Sequence, residues 1–142
     1  MNAAPDLFAK VSLFEGLTTA DRVALARAAT VRTYRRGERI VTQGQPGDSF
    51  FVLAKGRVAV SILSPEGREV VLSTLSAGDC FGEMALLDEA PRSATVTAAE
   101  RSELAVLTRE AFFDLLKGNF VLFRGLLSTF SRRLRHANAT IE

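Results

Sequence analysis

Apolar residues keep a helical period near both ends of the chain and a shorter, strand-like one between them. Leu7, Phe8, Val11 and Phe14 recur at helix-like spacing with Gly16 as punctuation, and Thr18-Thr19-Ala20-Asp21 forms a capping signal ahead of Val23, Leu25, Ala26 and Ala29. From Thr30 the character changes. Val31, Thr33 and Tyr34 predict a strand closed by Arg36-Gly37, and Ile40-Val41 a second one before the turn Gly44-Gln45-Pro46-Gly47-Asp48. The run Phe50-Phe51-Val52-Leu53-Ala54 follows, then a turn at Lys55-Gly56 and alternating Val58, Val60 and Ile62. After Ser64-Pro65-Glu66-Gly67 come Val70-Val71-Leu72 and Leu75, and later Thr95–Ala98 and Glu103–Leu107. Short β-branched and aromatic runs between glycine turns predict an antiparallel β-roll, a jelly-roll-like barrel.

Helical periodicity returns at Thr108, an N-cap with Glu110 in the first turn and Phe112, Phe113, Leu115 and Leu116 as the face to be buried. Gly118 ends that helix. The last segment sets Phe123, Leu126, Leu127, Phe130, Leu134, Ala137 and Ile141 on one face, with Arg124, Arg132 and Arg135 largely elsewhere. The expected fold is mainly β with flanking α, one domain over 1–142: a helical segment 1–29, a roll 30–107 and two helices in 108–142.

Composition narrows the function classes. At 142 residues with 47% apolar and 24% charged residues, the chain can bury a core, and its net charge of +2 is too small to imply nucleic-acid binding. The basic group Arg132, Arg133, Arg135 and His136 is short and lacks interleaved aromatics, so it reads as a solvated face. Cys80 is the only cysteine, which fits a reducing compartment and packing beside the roll. No run approaches the roughly 20 apolar residues of a membrane span, and Asp6, Lys10 and Glu15 break up any signal-like start. A cytoplasmic protein is expected. Catalysis finds little support: one cysteine and one histidine offer no metal cluster, Gly-x4-Gly-Lys-Ser/Thr is absent, and Asp88-Glu89 needs no acid–base role.

One stretch carries chemistry, Phe81-Gly82-Glu83-Met84-Ala85-Leu86-Leu87-Asp88-Glu89-Ala90-Pro91-Arg92-Ser93-Ala94-Thr95-Val96. Gly82 lets backbone N–H groups approach an anion, and the turn after it starts a helix whose N-terminus favours negative charge. Arg92 adds a planar, permanently charged fork for phosphate oxygens. Glu83 can accept from sugar hydroxyls. Phosphate donors beside a hydroxyl acceptor suggest a nucleotide, while Met84, Leu86 and Leu87 are expected in the core. The plain alternative is an ion pair of Glu83 with Arg92 across a turn.

This stretch, 81–96, closely resembles the phosphate-binding cassette of cyclic nucleotide-binding domains, and Gly44–Asp48 and Lys55–Val60 resemble the family's earlier glycine signatures. The resemblance runs from about Leu13 to the last helix and implies a β-roll that holds cyclic AMP, with cyclic GMP as the alternative, and no further cofactor. It implies that backbone at Gly82 and Ala85 lines the sugar-phosphate, that Glu83 binds the ribose 2′-hydroxyl, and that Arg92 pairs with the phosphate beside Ser93 and Ala94. Charge-assisted bonds of that kind contribute about 1.5–3 kcal/mol each. An apolar slot for the base is expected from Val71 and Leu72, beside Val70, with Met84 following, and a terminal lid from Arg133 and Asn138. Because Val70, Val71 and Leu72 alternate in facing, some of them are expected in the core and only one or two at the base. Such a receptor would act through a protein partner or a fused effector, as a stand-alone sensor or an excised domain, with a homodimer through the terminal helices and no direct nucleic-acid contact. The competing readings are an interaction module that has lost its ligand and the sensory fragment of a transcription regulator or ion channel.

Overall fold

Thr18 caps the first long helix as its neighbours predict. Its Oγ1 accepts from the Asp21 N–H at 3.2 Å, and its own N–H donates to Asp21 Oδ2 at 3.3 Å, a reciprocal pair that opens α1 (Thr19–Ala28). The structure, a computed structural model, describes residues 7–8, 11, 14 and 17–141; the side chains of Glu83, Met84, Thr129, Phe130, Arg133 and residues 136–141 lie outside that description. Strands β1 (Thr30–Tyr34), β2 (Arg39–Val41), β3 (Ser49–Lys55), β4 (Arg57–Leu63), β5 (Glu69–Ser76) and β6 (Cys80–Phe81) follow. A 3-10 helix, Glu83–Leu86, precedes β7 (Thr95–Ala98) and β8 (Ser102–Thr108), and α2 (Arg109–Leu116) and α3 (Phe120–Ile141) complete the described chain.

The strands form two antiparallel four-stranded sheets, ordered β1-β8-β3-β6 and β2-β7-β4-β5. The sheets keep separate edges, so the roll is open rather than a closed barrel. β3 explains the layering. Its Phe50 and Val52 join the helix-side core with Phe8, Phe14, Leu25, Leu107, Phe112 and Leu122, while Phe51 and Leu53 join Val58, Val96, Leu104 and Val106 between the sheets. A strand buried on both faces has to be apolar throughout, which is why Phe50–Leu53 shows no polar alternation. Phe14 meets Phe50 edge-on at 5.7 Å and 87°, which seats that ring on β3. Cys80 packs, half-buried, against the same core.

Four apolar expectations change. Phe112 is buried but Phe113 is exposed, because adjacent helical residues point about 100° apart and α2 has one covered face. Leu86 is buried and Leu87 exposed for a similar reason, at the end of a four-residue helix. None of Val70, Val71 and Leu72 is buried: β5 is the edge of its sheet, paired only with β4. The register between them shifts after Val60↔Ser73 to Ser61↔Val71, leaving Leu72 in a bulge. On α3 the covered positions are Leu122 and Leu126, whereas Phe123, Leu127 and Leu134 of the periodic face are exposed. Periodicity shows that a face is apolar, not what covers it.

Candidate functional site

Arg92 is brought to the turn before β3 by a short two-way ladder. The Gly44 N–H donates to Arg92 O at 2.8 Å and the Arg92 N–H to Gln45 O at 2.9 Å, while the Gln43 N–H donates to Thr95 Oγ1 at 2.9 Å. From there the guanidinium enters a slot between two glycines. A Cβ on Gly47 would overlap its Nε and Cζ, and one on Gly82 would stand 2.6 Å from Nη1 and 2.9 Å from Ser49 O. Gly82 also has φ +78°, a conformation costly to any residue with a side chain. Nη2 donates to Ser49 O at 2.8 Å, and Cζ lies 5.8 Å from the ring centre of Phe51, which is itself stacked on Phe81 at 4.8 Å and 10°.

Burial pushes the Arg92 pKa below its ordinary value; Asp48 acts to raise it and Arg109 to lower it further. The guanidinium is thus a partly desolvated cation with a second cation nearby, a setting that an incoming anion would relieve. Beside it lies a cavity of about 330 Å³ lined by Ile40, Val41, Thr42, Gln45, Pro46 and Phe51 together with the Gly47–Ser49 turn. That volume falls in the range of small-molecule sites. A second hollow, about 270 Å³, is walled by residues including Arg39, Ser61, Glu69, Thr95 and Thr97, and pairs one cation with one anion instead of presenting a concentrated charge.

The remaining predicted residues fall in three groups. Gly82 joins β6 to the 3-10 helix, whose Ala85 N–H donates back to Gly82 O at 3.1 Å, and Ala85 itself is buried. Glu83 and Met84 begin that helix, their side chains outside the described set. Ser93 is exposed and Ala94 half-buried between Arg92 and β7. Val71 and Leu72 stand 59% and 56% exposed on β5, apart from the lining of the Arg92 cavity. Arg133 and Asn138 lie on α3, where their side chains also fall outside the described set.

Two residues bear on this site without having been given a part in it by the sequence: Asp48, read there only as a turn residue, and Arg109. Asp48 accepts from Ser49 Oγ at 3.0 Å and bears electrostatically on Arg92. Arg109 reaches back from α2 to hold the cassette, donating from Nε to Ala85 O at 2.7 Å and from Nη2 to Asp88 O at 2.7 Å and Gly47 O at 2.9 Å. Carbonyl acceptors leave no trace in residue identity. The available signal was an arginine at the first position of a helix, where the backbone dipole disfavours positive charge.

An open β-roll that confines an arginine between two glycines is a fold with a cationic slot, the kind of feature that suits a small anion. Residues 31–119 match the family model described as cyclic nucleotide-binding domain, and the chain belongs to that family, a ligand-binding regulatory domain. It is 41% identical over 111 residues to a cAMP-dependent protein kinase regulatory subunit of Mycosarcoma maydis, covering 75% of this chain and 21% of that one. Among solved structures it resembles the N-terminal domain of a transcriptional regulator from Streptomyces coelicolor A3(2), with a TM-score of 0.91, 30% identity and 96% of each chain covered. It also resembles the regulatory domain of Toxoplasma gondii PKA with cAMP, with a TM-score of 0.73, 29% identity, and 91% and 48% covered. The chain therefore spans about a fifth of the curated kinase subunit that it matches.

Proposed function

We propose that this chain is a cyclic nucleotide receptor that takes cyclic AMP at the Arg92 end of the roll and relays occupancy through its helices. The observation that carries the reading is the Arg92 slot: a partly desolvated guanidinium wedged between Gly47 and Gly82, over Phe51, beside a cavity of about 330 Å³. One confined, partly desolvated cation suits the single charge of a cyclic monophosphate better than the several charges of a triphosphate. In this reading Gly82 and Ala85 present backbone to the sugar-phosphate, Glu83 accepts from the ribose 2′-hydroxyl, and Ser93 and Ala94 flank the phosphate. Met84, Val71 and Leu72 meet the base, whose far side is covered by α3 with Arg133 and Asn138. The exposure of Val71 and Leu72 favours such a cover, since apolar groups left in water gain from it.

The domain binds and relays without breaking or making a covalent bond, so it is read as a non-enzyme. Ligand shifts the helices only by its difference in affinity for the two arrangements, and a protein partner or fused effector reads the shift. The cytoplasm is the proposed setting, with no direct nucleic-acid contact; among the described residues no helix is long and apolar enough to cross a membrane. Calorimetric titration with cyclic AMP, cyclic GMP and 5′-AMP tests the reading. Cyclic AMP is expected to bind more tightly than 5′-AMP. Tighter cyclic GMP would reverse the base preference, and no heat with either cyclic nucleotide would overturn the receptor.

A further inference from the structure

Arg109 opens α2 with a positive charge at the end of the helix least favourable to one. Its side chain is only 20% exposed, and its one ion pair among the described residues, Nη1 to Glu89 Oε1 at 3.9 Å, reaches a carboxylate that is 91% exposed and so contributes little. Its hydrogen bonds go to backbone instead. Ala85 O lies in the last turn of the 3-10 helix, Asp88 O just beyond it, and Gly47 O in the turn before β3. The backbone N–H of Arg109 completes the set by donating to Asp48 O at 2.6 Å.

We propose that Arg109 is a positioning residue, a rigid strut that locks the cassette helix to the Gly47–Asp48 turn and makes α2 the first element displaced when either one moves. Arg92 and Arg109 hold that turn from two sides, the first packed on Gly47 and bonded to Ser49 O, the second bonded to Gly47 O. An anion that draws in Arg92 or the backbone at 82–85 therefore shifts carbonyls that Arg109 grips. A planar fork bonded to three carbonyls passes that shift to its own Cα, the start of α2, where a lysine's flexible stem would absorb it. The relay to α2 rests on the cyclic-nucleotide reading; the strut itself does not.

The test is amide exchange by NMR on the wild type, Arg109→Met and Arg109→Lys, free and with cyclic AMP, alongside calorimetry. In the free Arg109→Met protein the hydrogen-bonded amides of Gly44, Ala85 and Arg92 are expected to exchange at least 10-fold faster, with the β3–β8 ladder unchanged. Cyclic AMP should slow exchange over 109–116 in the wild type and not in Arg109→Met, with affinity down about 10-fold, or about 1.4 kcal/mol. Arg109→Lys keeps the charge and should fold, yet show the same faster exchange at Ala85. Unchanged exchange at these amides, or equal acceleration across both sheets, would overturn the strut. A wild type that binds no cyclic nucleotide would sink the receptor reading alone, with the free-state rates still deciding the strut.

Discussion

At Arg92 the charge and its confinement are separable. Arg92→Ala removes both, and cyclic AMP affinity should fall at least 10-fold by calorimetry, at about 1.4 kcal/mol per decade. Gly47→Ala removes only the confinement. Gly47 is not among the glycines at positive φ, so alanine suits the backbone, and the cost falls on the Arg92 guanidinium, which the new methyl would displace. Affinity should fall by several-fold to about 10-fold while the melting temperature stays near that of the wild type; unaltered binding would mean that the slot does not set the arginine's position. Glu83→Ala should weaken cyclic AMP much more than its 2′-deoxy analogue, and equal losses would make the acid structural. The meeting of Gly82 with Arg92 was legible in the sequence because the two sit close together in a single stretch. The parts played by Asp48 and Arg109 were not, because these residues lie 44 positions before Arg92 and 17 after it and act through space and through backbone carbonyls.

At the scale of elements, the cassette helix is anchored from below by Leu86, which is 0% exposed in the helix-side core with Phe50, Phe112 and Leu122. Leu86→Ala should cost about 2–5 kcal/mol of stability in chemical denaturation. It should also loosen the Gly82–Ala85 backbone, seen as faster exchange of the Ala85 amide. Loss of stability with that amide unchanged would show that Leu86 supports the core and not the cassette. Strand existence was well marked in the sequence, since β-branched runs and glycine turns are local features. Facing was less so on β5. A bulge at Leu72 breaks the alternation by which inward and outward residues are assigned, and an edge position denies Val70 and Val71 a second neighbour.

At the scale of the whole molecule, α3 leaves a row of apolar side chains exposed. Phe120, Leu127 and Leu134 follow one another at intervals of seven, the seam spacing of paired helices, and the last two are 54% and 66% exposed. The homodimer expected through the terminal helices would bury this row. Sedimentation equilibrium should then give a dimer for the wild type and a monomer for the double variant Leu127→Glu, Leu134→Glu. A wild-type monomer at every concentration would rule out that expected dimer.

The sequence by itself determined the order of the longer helices and strands, the roll, the N-cap of α1 and the closeness of Gly82 to Arg92. Each depends on spacing between near neighbours or on a residue's own conformational freedom, and those are written into the chain. Tertiary structure alone decided that β3 is a wall shared by two cores, that Gly47 forms one side of the Arg92 slot, and that Arg109 ties the slot to α2. These depend on which distant segments meet and on carbonyl oxygens that every residue carries, so no pattern of side chains along the chain could announce them.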